Sequence, residues 1–288
     1  FSPLQIAKMH RAIALKSIRN YVLCEDYIAD PIIVSSNEEW DFNIKFYNPI
    51  TIKSGAHLKI TCHVEMASKH KIAVEQNARL TINGAHVTSK CGLWSGIEVW
   101  GNNNLSQTPS NQGYLITSND ATIENAKNAI RTIKQNGIMD WSKTGGIVQC
   151  SNTLFLNNWR SVEYLYYHSS HPSLPGIEIM NKGRFNNCEF VWNDDYTYFN
   201  VESAITMFHV NGIQISGCDF RDERNTTERA SGIKSIDAGY KVLGRYTGGG
   251  IFYPPNFPQH NYYDETDYDV CYFHDLKYGI HAMNSSTL

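Results

Sequence analysis

Ile50-Thr51-Ile52-Lys53-Ser54-Gly55-Ala56-His57-Leu58-Lys59-Ile60 recurs 22 residues later as Ile72-Ala73-Val74-Glu75-Gln76-Asn77-Ala78-Arg79-Leu80-Thr81-Ile82. Each copy is an alternating apolar strand, a polar turn at Ser54-Gly55 or Gln76-Asn77, and a second alternating strand. Period-2 alternation buries one face of each strand. A pair of short strands cannot cover that face alone, so successive copies must stack and share a core. The predicted class is therefore all-β, a single-stranded parallel β-helix of roughly eight to ten coils at one coil per 22 to 30 residues. It is expected to be right-handed, as strand crossovers are.

Working outward, the repeat stays legible downstream. Ile123-Glu124-Asn125, Phe155-Leu156-Asn157 and Phe273-His274-Asp275 share a template with a small residue six positions on (Ala129, Ser161, Gly279) and a β-branched one seven on (Ile130, Val162, Ile280). The Asn or Asp is read as the cap of a corner turn, and the small residue as the bend back into a strand. Phe185-Asn-Asn-Cys-Glu-Phe190 and Ile215-Ser-Gly-Cys-Asp-Phe220 are two further rungs, placing Cys188 over Cys218 and Phe190 over Phe220. His63 and His86 occupy equivalent places and should stack as surface or turn residues, since a two-His half-site lacks further ligands.

Upstream, Ser2-Pro3-Leu4-Gln5 is a helix start with capping-box spacing, followed by an apolar stripe at Ile6, Met9, Ile13, Ser17 and Tyr21. Residues 1–24 are predicted to form an amphipathic helix that caps the stack, and residues 25–288 the β-helix. Long loops are expected at 101–113, 163–176, 193–203 and 240–270, where such a scaffold keeps its function. Phe1 is not an initiator Met and no leader opens the chain, so the expectation is a piece of a longer multidomain protein.

Composition narrows the function. The 288 residues carry a formal charge of −3 and are 42% hydrophobic and 18% charged, which suits a globular protein with a long core. The lack of a Lys/Arg cluster excludes a nucleic-acid footprint, and no apolar run is long enough to span a bilayer. Seven Cys without a CxxC pair are read as buried free thiols.

Two resemblances add to this. The run from Ser2 to Ala12, over about the first tenth of the chain, resembles the last helix of the catalytic domain in secreted bacterial zinc metallopeptidases of the pappalysin-like type. The H-E-x-x-H zinc signature is absent, so no peptidase chemistry carries over. The two coils together with Leu93-Trp94-Ser95-Gly96-Ile97-Glu98-Val99-Trp100-Gly101 resemble parallel β-helix modules of secreted bacterial surface proteins, the pectin-lyase-like fold. That likeness implies a secreted or cell-surface protein whose partner is a polysaccharide or another surface protein.

Aligning Phe190 with Phe220 sets Trp192 and Asp194-Asp195 beside Asp222, Glu223 and Arg224 on the neighbouring coil, about 4.8 Å away. Paired carboxylates at that spacing can divide into acid and base, so Asp194, Asp195, Asp222, Glu223 and Arg224 are the candidate catalytic residues. Trp192, Tyr166, Tyr167, Tyr196 and Tyr198 are the candidate sugar-stacking aromatics, with Trp159, Tyr164, Tyr253, Tyr262 and Tyr263 as further loop rings. Asn193-Asp194-Asp195, His209-Val210-Asn211-Gly212-Ile213 and Gly232-Ile233-Lys234 are similar to scraps of polygalacturonases, without that family's Gly-His-Gly and Arg-Ile-Lys signatures. A lyase would need a Lys or Arg base among Lys182, Arg184, Arg221 and Arg224, with Ca²⁺ held by Asp219, Asp222 and Glu223; otherwise no cofactor is expected. The leading reading is a non-catalytic surface module that binds a glycan or protein, and the alternative is a lyase or hydrolase of an acidic polysaccharide.

Overall fold

The computed structural model describes residues 30–174, 176–198, 200–246 and 268–287, together with Ser2, Gln5 and Lys8. These residues are almost entirely β, in two large sheets whose neighbouring strands run parallel. The first sheet has nine strands: Ile32–Val34, Ile50–Ile52, Lys71–Val74, Gly96–Val99, Asn128–Arg131, Arg160–Tyr164, Ser203–Phe208, Ser231–Ile236 and Tyr278–Met283. Each is separated from the next by strands of the other sheet, so the chain returns to it once per turn.

The pairing shows why these residues form this stack. Ile32, Ile50, Ile72, Ile97, Ile130, Val162, Ile205, Ile233 and Ile280 partner one another in succession. All nine are β-branched, the side-chain type that packs best on a pleated surface. From Ile50 to Ile233 every member of this column is fully buried, and each such side chain contributes about 1.5–3 kcal/mol. A second column runs Ile44, Val64, Val87, Ile123, Phe155, Phe190, Phe220 and Phe273. It widens from aliphatic to aromatic along the stack. A third joins Leu58, Leu80, Leu115 and Val148. The second and third columns belong to one sheet because the ten-residue strand Ile147–Leu156 spans both.

The 22-residue spacing is thus a register, with Ile50 opposite Ile72 and Leu58 opposite Leu80. The corner residues also behave as the template requires. Asn125, Asn157 and Asp275 all have φ between 52° and 56°, the left-handed region that Asn and Asp tolerate better than other non-glycine residues. The two Asn side chains tie coils together: Asn125 Nδ2 donates to Ser89 O at 3.2 Å, Asn157 Nδ2 donates to Asn193 Oδ1 at 2.7 Å, and Asn193 N donates to Asn157 Oδ1 at 3.0 Å. At Gly96 (φ +94°) an added Cβ would lie 1.6 Å from the Asn128 carbonyl oxygen. Only glycine allows the next coil to approach so closely there.

Several expectations are corrected or relocated. The N-terminal capping helix over 1–24 lies outside the described residues apart from Ser2, Gln5 and Lys8, and no α-helix is among the delineated elements. Ser2 and Gln5 do exchange the reciprocal bonds of a capping box, Ser2 N to Gln5 Oε1 at 2.8 Å and Gln5 N to Ser2 Oγ at 3.3 Å. The loop at 163–176 begins later, because Arg160–Tyr164 is a strand, and it carries an antiparallel pair, Ser169–Ser170 with Glu178–Ile179. The 240–270 excursion starts after the Gly239–Leu243 strand and a short pairing of Arg245–Tyr246 with Tyr268–Asp269. Its centre, with Tyr253, Tyr262 and Tyr263, lies outside the described residues. A hairpin of Lys134–Asn136 with Ile138–Asp140, followed by a 3-10 turn at Trp141–Lys143, went unforeseen.

The thiols divide. Cys62, Cys150, Cys188, Cys218 and Cys271 are free, the first four of them buried, whereas Cys91 is disulfide-bonded. Cys188 does sit over Cys218, its N–H 3.5 Å from Cys218 Sγ, and Cys218 N–H is 3.3 Å from Cys271 Sγ. Burial pushes the Cys150 thiol up to about 12, so it is inert as a nucleophile.

Candidate functional site

The rung alignment holds, since Phe190 pairs with Phe220 and Trp192 with Asp222. The side-chain directions, however, remove half of the candidates from the surface. Trp192 is fully buried and its Nε1 donates to Asn158 O at 2.6 Å. Asp222 is also fully buried. It accepts from Arg224 Nε and Nη2 at 2.8 and 2.7 Å and from Ala230 N at 2.7 Å. Arg224 is buried beneath Tyr196, itself buried, whose ring centroid is 5.2 Å from the guanidinium carbon. This is a closed ion pair that staples a corner, and no carboxylate oxygen of Asp222 faces a groove. Tyr167 is buried as well, its hydroxyl donating to Leu105 O at 2.7 Å to hold one loop against another.

The remaining candidates separate. Glu223 is exposed and stands 3.1 Å from Arg221 Nε. Arg221 is taken up by Glu189 at 2.7 Å and by Asp219. Arg184 Nη1 donates to the carbonyls of Asn181 and Gly183, so neither arginine is disposed as a base. Asp194 Oδ1 accepts from Asn225 N at 2.8 Å and braces the corner between two coils. Tyr166 is exposed beside His168, with ring centroids 5.0 Å apart. Among the described residues no group of three or more His, Cys, Asp or Glu is placed to hold a metal ion.

Asp195 and Tyr198 come together elsewhere. Their loop folds back over the outer face of the stack, and with Thr197 they line an open groove of about 480 Å³ together with His63, His86 and Glu124 of earlier coils. The sheet supplies the floor. His63 and His86 open two adjacent strands, His63–Met66 and His86–Thr88, and are register partners on the outward face. Their rings meet edge to face with centroids 4.9 Å apart. One coil on, Glu124 lies beside Ile123, whose own side chain points into the core. Its Oε2 accepts from Thr88 Oγ1 at 2.8 Å and lies 2.8 Å from His86 Nε2. Lys90 and Asn125 complete the rim. Tyr198 closes the far side near Gly92, where an added Cβ would be 3.5 Å from the phenol oxygen.

The electrostatics separate these groups. Burial, then the neighbouring His86 and Lys90, holds the His63 imidazole below its ordinary 6.5. Burial pushes the Tyr198 phenol up. For Glu124, burial opposes ionisation, but the hydrogen bonds from His86 and Thr88 outweigh it and hold the carboxyl below 4.5. The groove therefore presents a neutral imidazole, a protonated phenol and a fixed carboxylate at neutral pH, the separated pair of proton acceptor and donor that acid–base chemistry needs.

A pH dependence of stability follows. A histidine with a depressed folded value binds fewer protons folded than unfolded, so its contribution is intact above 6.5 and fades as the pH falls through the folded value. Glu124 has the same sign lower down, with stability intact above 4.5 and lost as the pH falls through its folded value. Urea midpoints should thus decline below pH 6.5, and His63→Gln should flatten the upper part of that decline. An unchanged slope in the variant would mean His63 is not the group responsible.

Of this groove, the sequence disclosed the histidine pair through its spacing and named Asp195 and Tyr198, but with the wrong partners. Glu124 was visible only as a member of the corner template, although its place next to inward-facing Ile123 marks it as outward. Compared with known proteins, the chain matches no family model, no curated protein and no solved structure.

Proposed function

We propose that this chain is a right-handed parallel β-helix module of an exported bacterial surface protein and that it binds a glycan in the groove between the His63–His86–Glu124 face and Tyr198. The observation carrying this reading is the return of the 193–198 loop, which adds an aromatic wall to a polar floor built from three successive coils. A sugar offers hydroxyls and an apolar C–H face. Glu124 and Asp195 can accept from the former and Tyr198 can pack against the latter, the mixture of one aromatic and several convergent polar groups that recognises such ligands. The usual hand of strand crossovers supports the right-handed winding. The disulfide at Cys91 supports an oxidising, extracytoplasmic location, in keeping with a module carried on a larger secreted chain.

Affinity electrophoresis through gels containing neutral and uronate polysaccharides tests the reading. The protein should be retarded by at least one polymer, with Tyr198→Ala and Glu124→Gln weakening retention by about tenfold or more. Glu223→Gln, outside the groove, should behave as the parent. Free migration in every gel, or equal retention of all variants, would sink the proposal.

A further inference from the structure

Three free thiols lie one above another on successive coils of the second large sheet. Asp219 is the register partner of Glu189 on one side and of Tyr272 on the other, so the residues just before them, Cys188, Cys218 and Cys271, form a column. Cys218 N–H is 3.3 Å from Cys271 Sγ, and Tyr272 N donates to Cys218 O at 2.9 Å. We infer that Cys218 and Cys271 are an oxidisable pair, a redox modification site whose closure to a disulfide fastens the last described coil to the stack. The inference goes beyond the glycan-binding reading, whose groove is built from other residues.

The geometry suits the bond. Neighbouring strands lie about 4.8 Å apart, inside the roughly 4.4–6.8 Å between Cα atoms that a disulfide spans. Both side chains turn to the same side, Cys218 in the core and Cys271 packed against it, and the two thiols hydrogen-bond to each other. Cys188 and Cys218 are buried, whereas Cys271 is half-buried, so an oxidant meets Cys271 first and finds Cys218 next to it. The chemistry balances with a small disulfide such as oxidised glutathione as co-reactant. The Cys271 thiolate attacks one of its sulfurs, giving a mixed disulfide and releasing one glutathione thiolate. The Cys218 thiolate then attacks the Cys271 sulfur and displaces the second glutathione thiolate. Two protein thiols are oxidised, one disulfide is reduced, and the two protons end on the two glutathione thiols.

The place on the stack gives the bond its effect. Among the described residues, Tyr272–His274 and Tyr278–Met283 each pair with one neighbouring strand only. Ile280 is 42% exposed, whereas its predecessor in the column, Ile233, is fully buried. A coil with a single neighbour has one interface energy where an interior coil has two, and it opens most readily. That opening also sets the rate of the chemistry. The thiol–thiol hydrogen bonds, and then burial, hold both cysteines above the ordinary thiol range while the coil is docked, so the attacking thiolate forms when the coil lifts. Closing the bond removes the opening. The bonded state of Cys91 is in keeping with an environment that oxidises thiols.

The test equilibrates the full chain in buffers of reduced and oxidised glutathione, blocks the remaining thiols with N-ethylmaleimide in denaturant and maps the peptides by mass. Amide hydrogen exchange is measured on the same samples before blocking. The expected result is a Cys218–Cys271 cross-link that forms in oxidising and opens in reducing buffer, with Cys62, Cys150 and Cys188 alkylated throughout. On closure, exchange in Tyr272–His274 and Tyr278–Met283 should slow about tenfold or more, while early strands such as Lys71–Val74 should not change. Cys188→Ser should still close, and Cys271→Ser should lose both the cross-link and the response of exchange to oxidation. A Cys188–Cys218 cross-link instead, a glutathione adduct that persists on Cys271, or alkylation of both cysteines in every buffer would overturn the inference. So would a cross-link that leaves exchange in the last described coil unchanged. The parent chain alone gives each of these results, so a variant that fails to fold leaves the decision intact.

Discussion

Asp222→Ala is expected to lower the free energy of unfolding by about 3–5 kcal/mol, the cost of leaving a buried charge without its partner. The carboxylate is fully buried and accepts two hydrogen bonds from the Arg224 guanidinium and one each from the backbone N–H groups of Arg224 and Ala230. A second cation, Arg229 Nη1, lies 3.6 Å away. Removing the carboxylate strands the Arg224 guanidinium between Tyr196 and the corner it braces, and it leaves the Ala230 N–H without an acceptor. Replacing the pair together, as Asp222→Leu with Arg224→Met, should recover most of the loss, because apolar residues of similar volume carry no desolvation penalty. The urea midpoint at constant slope measures both effects. A loss under 1 kcal/mol for Asp222→Ala, with the glycan-binding behaviour abolished, would return Asp222 to the functional site and refute its structural role.

The same residue shows where a sequence of this kind stops being readable. Its alignment with Trp192 was legible, because coils without insertions keep a constant spacing and the phenylalanines mark the register. Its inward direction is written there as well, since burial alternates along Asp219–Asp222 and Phe220 is an inner residue. What the pattern does not show is that a charged side chain at an inner position has a partner, here Arg224, which folds back from beyond the end of the strand. The groove was hidden for a related reason. A repeat pattern encodes which residues of adjacent coils are neighbours, and it brought His63 to His86, but it is silent about where a loop such as 193–198 goes after leaving the stack. Tyr198 reaches Gly92 through that loop alone. The column from Ile32 to Ile280 was the most readable feature, since each of its members is β-branched and none depends on a loop.

Phe190→Ala should cost about as much as the loss of Asp222, about 3–5 kcal/mol by the deletion of buried atoms and the cavity left behind, but through different physics. The rings of Phe155, Phe190, Phe220 and Phe273 form a stack with centroids 4.8, 4.7 and 4.6 Å apart and planes within 6° of parallel. Phe190 has a ring on each face and is fully buried, so its removal empties a layer that both adjacent coils need. Phe273 has the Phe220 ring on one face and is less deeply buried, and Phe273→Ala should therefore cost clearly less. The comparison matters because the stability of a stacked-coil protein is close to a sum of coil stabilities and nearest-neighbour interface energies. Emptying an interior layer weakens the coupling between the two halves of the stack, whereas emptying a terminal one frays an end. Amide hydrogen exchange can tell these apart: Phe190→Ala should raise exchange in the strands on both sides of Arg184–Trp192, and Phe273→Ala only in the last coils. Equal costs for the two variants, or exchange rising uniformly through the chain in both, would mean that the aromatic stack does not couple neighbouring coils and that the aliphatic column opposite it carries the cohesion alone.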